Sequence, residues 1–305
     1  MSKKYLFFIL VAVLLSMAAL SSALKHLQTK SLQNVLGSYS FANTKNNLFK
    51  LKKIKLAHAD GREMTFYYEN GIWYFEEAAD YFVKDEAIQN FYDMVKNSVL
   101  IERVEKTSSE DSKLNVKTFD ENGEVLDDVY LFGSGHSIMS YPDNKFAYKI
   151  SHTENISNNP PDWLPSPLLK INKDLILGLN VNGKYADKEA LDENEPFSDN
   201  LKEFFDALKN VEYEGIVSDE LFDEEYAEIV QEKEILIYLA GGLNYRLQIY
   251  SDGENYYARI FAEREVIAKK EVNGIIEVQN MYYRGWTFLL TPEQGKTLFN
   301  FDFEQ

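Results

Sequence analysis

The chain has 305 residues, 45% of them hydrophobic, with 49 acids against 32 bases and no cysteine. That length suits one large or two modest domains with a packed core. The missing cysteines exclude a disulfide framework, a thiolate nucleophile, Cys-bound zinc and the acylated cysteine of a bacterial lipoprotein. The net charge of −17 is unevenly spread: residues 1–60 hold nine Lys and one acid, Asp60, so the other 48 acids face 23 bases, a net of −25. So acidic a body repels a phosphate backbone, which argues against nucleic-acid binding.

The first element is "MSKKYLFFILVAVLLSMAALSSALKH". Lys3 and Lys4 precede an uncharged run of 20 residues, Tyr5 to Leu24. At about 1.5 Å per residue such a helix just crosses a hydrocarbon core of about 30 Å. Residues 1–27 therefore read as an uncleaved single-pass anchor. Ser21, Ser22 and Ala23 equally fit a signal peptide cleaved near Ala23, which would release the body. Lys3 and Lys4 favour a cytoplasmic N-terminus, although Lys25 and Lys30 follow the run. As the first hydrophobic segment, it is expected to export the body. Residues 28–47, polar and Asn/Ser/Thr-rich, read as a stalk.

From residue 48 the punctuation is Asn-Gly or Asp-Gly, at Asp60-Gly61, Asn70-Gly71, Asn122-Gly123, Asn182-Gly183, Asp252-Gly253 and Asn273-Gly274. These pairs tolerate the positive φ of tight hairpins, and most lie between alternating or apolar runs. "KIKLAHADGREMTFYYENGIWYF" predicts three antiparallel strands. "LNVKTFDENGEVLDDVYLF" predicts a hairpin, and "EILIYLAGGLNYRLQIYSDGENYYARIFAE" a three-stranded meander turning first at Gly241-Gly242. Between them, Ile88, Phe91, Tyr92 and Val95 fall at i, i+3, i+4 and i+7, and Leu201, Phe204, Phe205 and Leu208 repeat that spacing. "IQNFYDMVKN" and "LKEFFDALKN" are echoes 113 residues apart, with Asp85 and Ser198 as N-caps at the same offset. Phe91, Tyr92, Phe204 and Phe205 are expected to pack inward.

A partial third echo joins "FYYENGIWYF" to "MYYRGWTFLLTPEQGKTLF", where Thr291, Pro292 and Gln294 read as a capping box with proline at the first helical position. Four of the seven prolines, Pro160, Pro161, Pro165 and Pro167, mark a connector over 158–170. The acidic "SDELFDEEYAEIVQEKE" reads as a solvated helix or loop. The whole predicts an α+β fold: antiparallel meanders with amphipathic helices packed on them, in two degenerate repeats of a β-hairpin–helix–meander unit. The first spans 48–157; the second spans 171–305, lacks the Trp strand and ends in the partial repeat.

No reaction is spelled out. His26, His58, His136 and His152 show no helical metal spacing, though His136 and His152 could meet across a sheet. "FGSGHS" at Phe132–Ser137 has the first two glycines of a dinucleotide loop, but a turn follows where a helix should. It is no nucleophile elbow either, because no Ser stands in the nucleophile position of G-x-S-x-G. In "DENGEVLDD" Gly123 comes fourth, which suits a hairpin rather than a calcium loop. Trp73, Trp163 and Trp286 could line a groove; the recurrence of Trp73 and Trp286 in the echo favours a core role. No catalytic, cofactor-binding or metal-binding residue is therefore assigned, and no cofactor is expected.

"GIWYF" (Gly71–Phe75), the helix phrase from Val83, "DWLPSPLLKINKDLILGLNV" (Asp162–Val181) and the second capped helix together resemble the bacterial family catalogued as domain of unknown function 4340, over roughly Phe49 to Phe299. The resemblance implies a membrane-anchored protein of repeated α+β units, associated with gliding-type ABC transport systems. It implies a single-pass protein of the bacterial inner membrane whose body faces the periplasm. The expected function is a non-enzymatic accessory or scaffolding part of a membrane complex, with ABC-type transporter subunits as partners. The alternative is a periplasmic ligand-binding module using an aromatic face or inter-unit cleft.

Overall fold

The computed structural model describes residues 35–105, 114–142, 144–153, 156–157, 159–194, 198–226, 231–264 and 272–303. The run Tyr5–Leu24, His26 and residues 28–34 of the expected stalk lie outside them, whereas 35–47 of that stretch belong to the first unit, with Ser40, Phe41 and Thr44 buried rather than solvated. No helix among the described residues is long and apolar enough to cross a membrane. The fold is α+β, and every strand pairing described is antiparallel. Two compact units divide the chain: the described residues through Glu63 with Ile88–Asn158, and Met64–Ala87 with the described residues from Asn159 onward.

In the first unit, β1 (Lys53–His58), β6 (Leu114–Phe119), β7 (Val125–Phe132), β8 (Ile138–Ser140), β9 (Phe146–Ile150) and β5 (Leu100–Glu105) lie side by side in that order. The register sets His58 opposite Leu114, and Leu114 opposite Leu131. Alternation puts Ile54, Leu56, Leu114, Val116, Val129 and Leu131 in the core. Helix α1 (Ala42–Asn46) is held at its centre by Asp127, whose buried carboxylate accepts from Thr44 N at 2.7 Å and Thr44 Oγ1 at 2.6 Å. Helix α2 (Asp85–Asn97) buries Ile88, Phe91, Met94 and Val95, with Phe91 edge-on to Phe41. Tyr92 is only half-buried, at the margin of the stripe that Ile88, Phe91, Met94 and Val95 fill, and Lys96 sits over its ring. Asp85 is the first helical residue rather than the cap, a position where its charge still complements the helix dipole.

The second unit's main sheet runs β11 (Lys184–Asp187), β10 (Ile176–Val181), β13 (Gln231–Leu239), β14 (Leu243–Ser251), β15 (Tyr256–Arg264), β16 (Trp286–Leu290), β12 (Tyr213–Ser218). With β11 set aside, this is the strand order of the first unit: an opening strand, the strands of the meander, then at the far edge the strand that follows the helix. β5 and β12 begin 113 residues apart, at Leu100 and Tyr213, and their pairings shift register at matching places, Leu100/Glu102 and Tyr213/Gly215. Helix α3 (Lys188–Asn194) precedes α4 (Asp199–Leu208), which buries Leu201, Phe204, Phe205 and Leu208 as its spacing predicts. Ser198 caps α4, accepting from Leu201 N at 3.3 Å. The C-terminal echo joins unlike elements: Tyr67 and Tyr68 lie on β2 (Glu63–Glu69), whereas Tyr282 and Tyr283 close helix α6 (Val272–Tyr283). Asn273-Gly274 is likewise not a hairpin turn but part of the first turn of α6.

Two local readings are corrected. The acidic stretch forms α5 (Asp219–Glu225), whose Phe222 is buried between Tyr250 and Tyr257, so its inner face is core and its acids form the outer face. Arg259 ties it down, bonding Thr287 at 2.8 Å and Asp223 at 2.7 Å. Thr291 does precede α7 (Pro292–Asn300), with proline in the first turn, but no side-chain cap bond forms. Gln294 reaches away instead, accepting from Glu212 N and donating to Asn210 O, both at 2.6 Å. The two backbone groups of the loop before β12 have no ladder partner, and the amide satisfies both at once.

α7 packs on β15 through Gly295. A Cβ there would come within 2.6 Å of Tyr256 Cγ and closer still to its Cβ. Alanine normally gains up to ~1 kcal/mol over glycine inside a helix, but overpacking against an atom next to the backbone costs about 1–3 kcal/mol. Gly295→Ala should therefore lower stability, seen as a lower denaturation midpoint in urea, whereas propensity alone would raise it.

Candidate functional site

A cleft of about 750 Å³ opens within the second unit. Three stretches line it: the end of the β3–β4 hairpin, the Pro165–Leu168 segment and the last turns of α6. Strands β2, β3 (Ile72–Phe75) and β4 (Tyr81–Phe82) pair in sequence, with Tyr68 opposite Trp73 and Tyr74 opposite Phe82. Between β3 and β4, Ala79 and Asp80 both take left-handed φ, 54° and 58°. Two consecutive non-glycine residues in that region cost of order 1–3 kcal/mol each, so the surroundings must hold them. The holding contacts are present: Trp286 Nε1 donates to Ala79 O at 2.9 Å, and Val83 N to Trp73 O at 2.9 Å.

The other two stretches are latched by phenols. Tyr81 Oη donates to Tyr282 O at 3.0 Å, satisfying a carbonyl in the last turn of α6 that has no helical partner. Tyr283 Oη donates to Leu168 O at 3.1 Å, and Tyr213 Oη to Pro165 O at 2.6 Å. Burial pushes all three phenols well above their usual value, so they remain neutral donors at physiological pH. The rings behind them form one cluster: Tyr81 stands edge-on to Trp286 and Phe288, and Phe82 edge-on to Tyr282 and Trp286.

α6 is fixed from its inner face. Asn280 is buried, and its side-chain amide bonds both Ala262 N and Ala262 O at 2.9 Å, as a neighbouring strand would. Tyr283 is buried beside it. Ile275, Val278, Met281 and Tyr282 then point away, and each is about half exposed. Their spacing of three, three and one puts them on one helical face, continuous with Val278, Met281 and Tyr282 in the cleft wall. The cleft's charged lining is Lys84 and Asp85.

A second depression of about 750 Å³ is polar, lined among others by Glu203, Asp206, Glu212, Glu293 and Lys296. Among the described residues no three His, Asp or Glu side chains gather as metal ligands there or elsewhere. The stretches singled out in the sequence have structural employment. Asp120 accepts from Asn122 N and Glu124 N at 2.9 Å, closing the β6–β7 hairpin. "FGSGHS" is a turn at the end of β7, with left-handed φ at Gly133, Gly135 and His136. Burial holds the His58 and His136 imidazoles below their usual value. Trp73 and Trp163 are buried, Trp163 stacked on Phe66; Trp286 is partly buried. So the tryptophans are core, and Trp73 is also cleft wall. Sequence reasoning missed α6 and its open face. Its signal is inverted: polar Asn280 is buried while Ile275, Val278 and Met281 stay exposed, so a search for a buried apolar stripe passes over it.

No family model, no curated protein and no solved structure matches the chain.

The latches give a prediction with a definite sign. The unfolded chain ionises its tyrosines near pH ~10, whereas the folded chain keeps Tyr81 protonated above that. Above pH ~10 the unfolded state therefore binds fewer protons, and stability falls as pH rises. Tyr81→Phe should cost about 0.5–1.5 kcal/mol at pH 7 and make the alkaline decline shallower, as measured by urea unfolding from pH 7 to 11.

Proposed function

We propose that the protein is a non-enzymatic, membrane-tethered exported domain, acting as an accessory or scaffolding component of a membrane complex, of the ABC-transport type that the sequence resemblance implies. The hydrophobic run Tyr5–Leu24 supplies the tether, and the body faces the periplasm of a bacterial inner membrane. Cleavage near Ala23 would give the same body in secreted form. The observation that carries the reading is the outward face of α6. Its inner face is fixed to its own sheet, and its outer face offers Ile275, Val278, Met281 and Tyr282 to a partner. A contiguous apolar patch of this kind marks an interaction surface. The cleft beside it fits the same role, because two of its phenols, Tyr81 and Tyr283, spend their hydroxyls on backbone carbonyls and the rings of Trp73, Phe82 and Tyr282 line it. The two units are read as degenerate copies of one hairpin–helix–meander element, supported by their shared strand order and by the matching register shifts of β5 and β12.

A second reading, a periplasmic ligand-binding module, is favoured by the volume of the aromatic cleft, which falls in the range of small-molecule sites. The two separate cleanly. A photo-crosslinking residue at Met281 of the full chain, in its native membrane, should give a discrete adduct with another membrane protein. The same residue at Glu254, on the exposed β14–β15 turn, should give none. Equal adducts at both positions, or none at either, would contradict the accessory reading. A melting-temperature rise with one compound from a lipid, glycan and peptide panel, without a Met281 adduct, would favour the ligand-binding module.

A further inference from the structure

We propose that the cleft and the open face of α6 receive one kind of occupant: a polypeptide segment of a partner protein in which a lysine or arginine sits beside apolar or aromatic side chains. This rests on the docking reading above and adds the chemistry of what docks. The first support is charge. The 64–87 segment, which supplies one wall, carries six acids and a single base, Lys84, and of these Asp85 and Lys84 line the cleft. Lys84 is neutralised by Glu86 at 2.9 Å. Glu77 is committed to Thr65 N at 2.7 Å. Asp85, exposed and in the cleft lining, takes part in no ion pair or side-chain hydrogen bond among the described residues. A carboxylate thus stands at the cleft with no cation opposite it.

The second support is the surface beside that carboxylate. Phe82 and Tyr282 stand edge to face 5.3 Å apart, and Trp73 lines the same cleft. Aromatic faces next to a carboxylate attract a cation, from below through the ring quadrupole and from the side through charge. Ile275, Val278 and Met281 offer nothing but apolar area. An occupant that satisfies both parts must carry positive charge and hydrophobic side chains within one short stretch. An acyl chain would cover the stripe and leave Asp85 unmet. A second copy of this chain, of net charge −17, would bring further acids against Asp85.

The probe is a short fluorescent peptide of alternating leucine and phenylalanine carrying two lysines. Its counterpart has glutamates in place of the lysines. Both are titrated into the full-length protein in detergent, alongside phosphatidylcholine vesicles and a sedimentation measurement of self-association. The lysine peptide should bind, and the glutamate peptide should bind at least about tenfold more weakly. Asp85→Asn, which keeps an uncharged polar residue at the start of α2, should weaken the lysine peptide about two- to fivefold, the scale of one exposed ion pair. Added salt should narrow the gap between the two peptides. Met281→Asp should abolish binding of both, with the thermal transition of each variant showing that it folds. Equal affinity for the two peptides, indifference to Asp85→Asn, or displacement of the peptide by vesicles or by self-association would overturn the proposal. If Met281 crosslinks to a membrane partner while the peptides show no charge preference, this inference fails and the docking reading stands. If Met281 gives no adduct, both fail.

Discussion

Four backbone carbonyls of the second unit, those of Ala79, Pro165, Leu168 and Tyr282, lie outside any strand ladder or helical bond, and each is met by an aromatic donor. Leaving such a group unmet on burial would cost about 1–3 kcal/mol. Tyr and Trp are suited to the task because each combines a large apolar body with one polar tip. The ring fills core volume while the tip reaches a carbonyl that no backbone amide can approach. The rest of the site depends on these four bonds. They hold the strained Ala79–Asp80 turn, the proline-rich stretch and the end of α6 in one arrangement.

That arrangement decides what the cleft can do. With the Tyr81 and Tyr283 hydroxyls turned into the fold, ring faces and aliphatic side chains make up most of the cleft's outer lining. The surface is formed before any partner arrives, so association would order few side chains and lose little entropy. Asn280 contributes from behind by fixing α6 as though it were a strand beside β15. A helix held that firmly on one side can leave apolar residues open on the other without slipping to bury them. The acidic 64–87 segment then supplies charge to a surface that is otherwise hydrophobic.

Much of the fold was legible because its signals are local. Asn-Gly and Asp-Gly pairs marked the hairpins around β1–β3, β6–β7 and β14–β15, Gly241-Gly242 marked that between β13 and β14, and the i, i+3, i+4, i+7 stripes of α2 and α4 named their buried residues except half-buried Tyr92. The phrase shared by those two helices extended further than the letters suggested, to the strand that follows each and to the shift in its pairing. The failures were non-local or lacked a period. Gln294 looked like a capping residue until the loop before β12 claimed its amide. Phe222 was hidden among acids that form the other face of its helix. α6 carries in its first turn an Asn-Gly pair that resembles a hairpin turn, and it buries polar Asn280 while leaving Ile275, Val278 and Met281 exposed. The cleft itself left no mark, because its stretches around residues 71–85, 165–168 and 278–283 are far apart in sequence and are joined by single bonds from phenols and an indole. Nor could the linear order show that 64–87 folds with residues beyond 159.

The central claim is that the open face of α6 and the adjoining hairpin wall are where this protein meets its partner. Hydrogen–deuterium exchange tests it most directly, comparing the full-length protein purified alone with the same protein extracted together with the membrane complex proposed as its partner. The account predicts slower exchange in the assembly over residues 275–285 and 71–85, with the β13–β15 meander unchanged. Protection confined to other surfaces, or identical exchange in the two states, would contradict it.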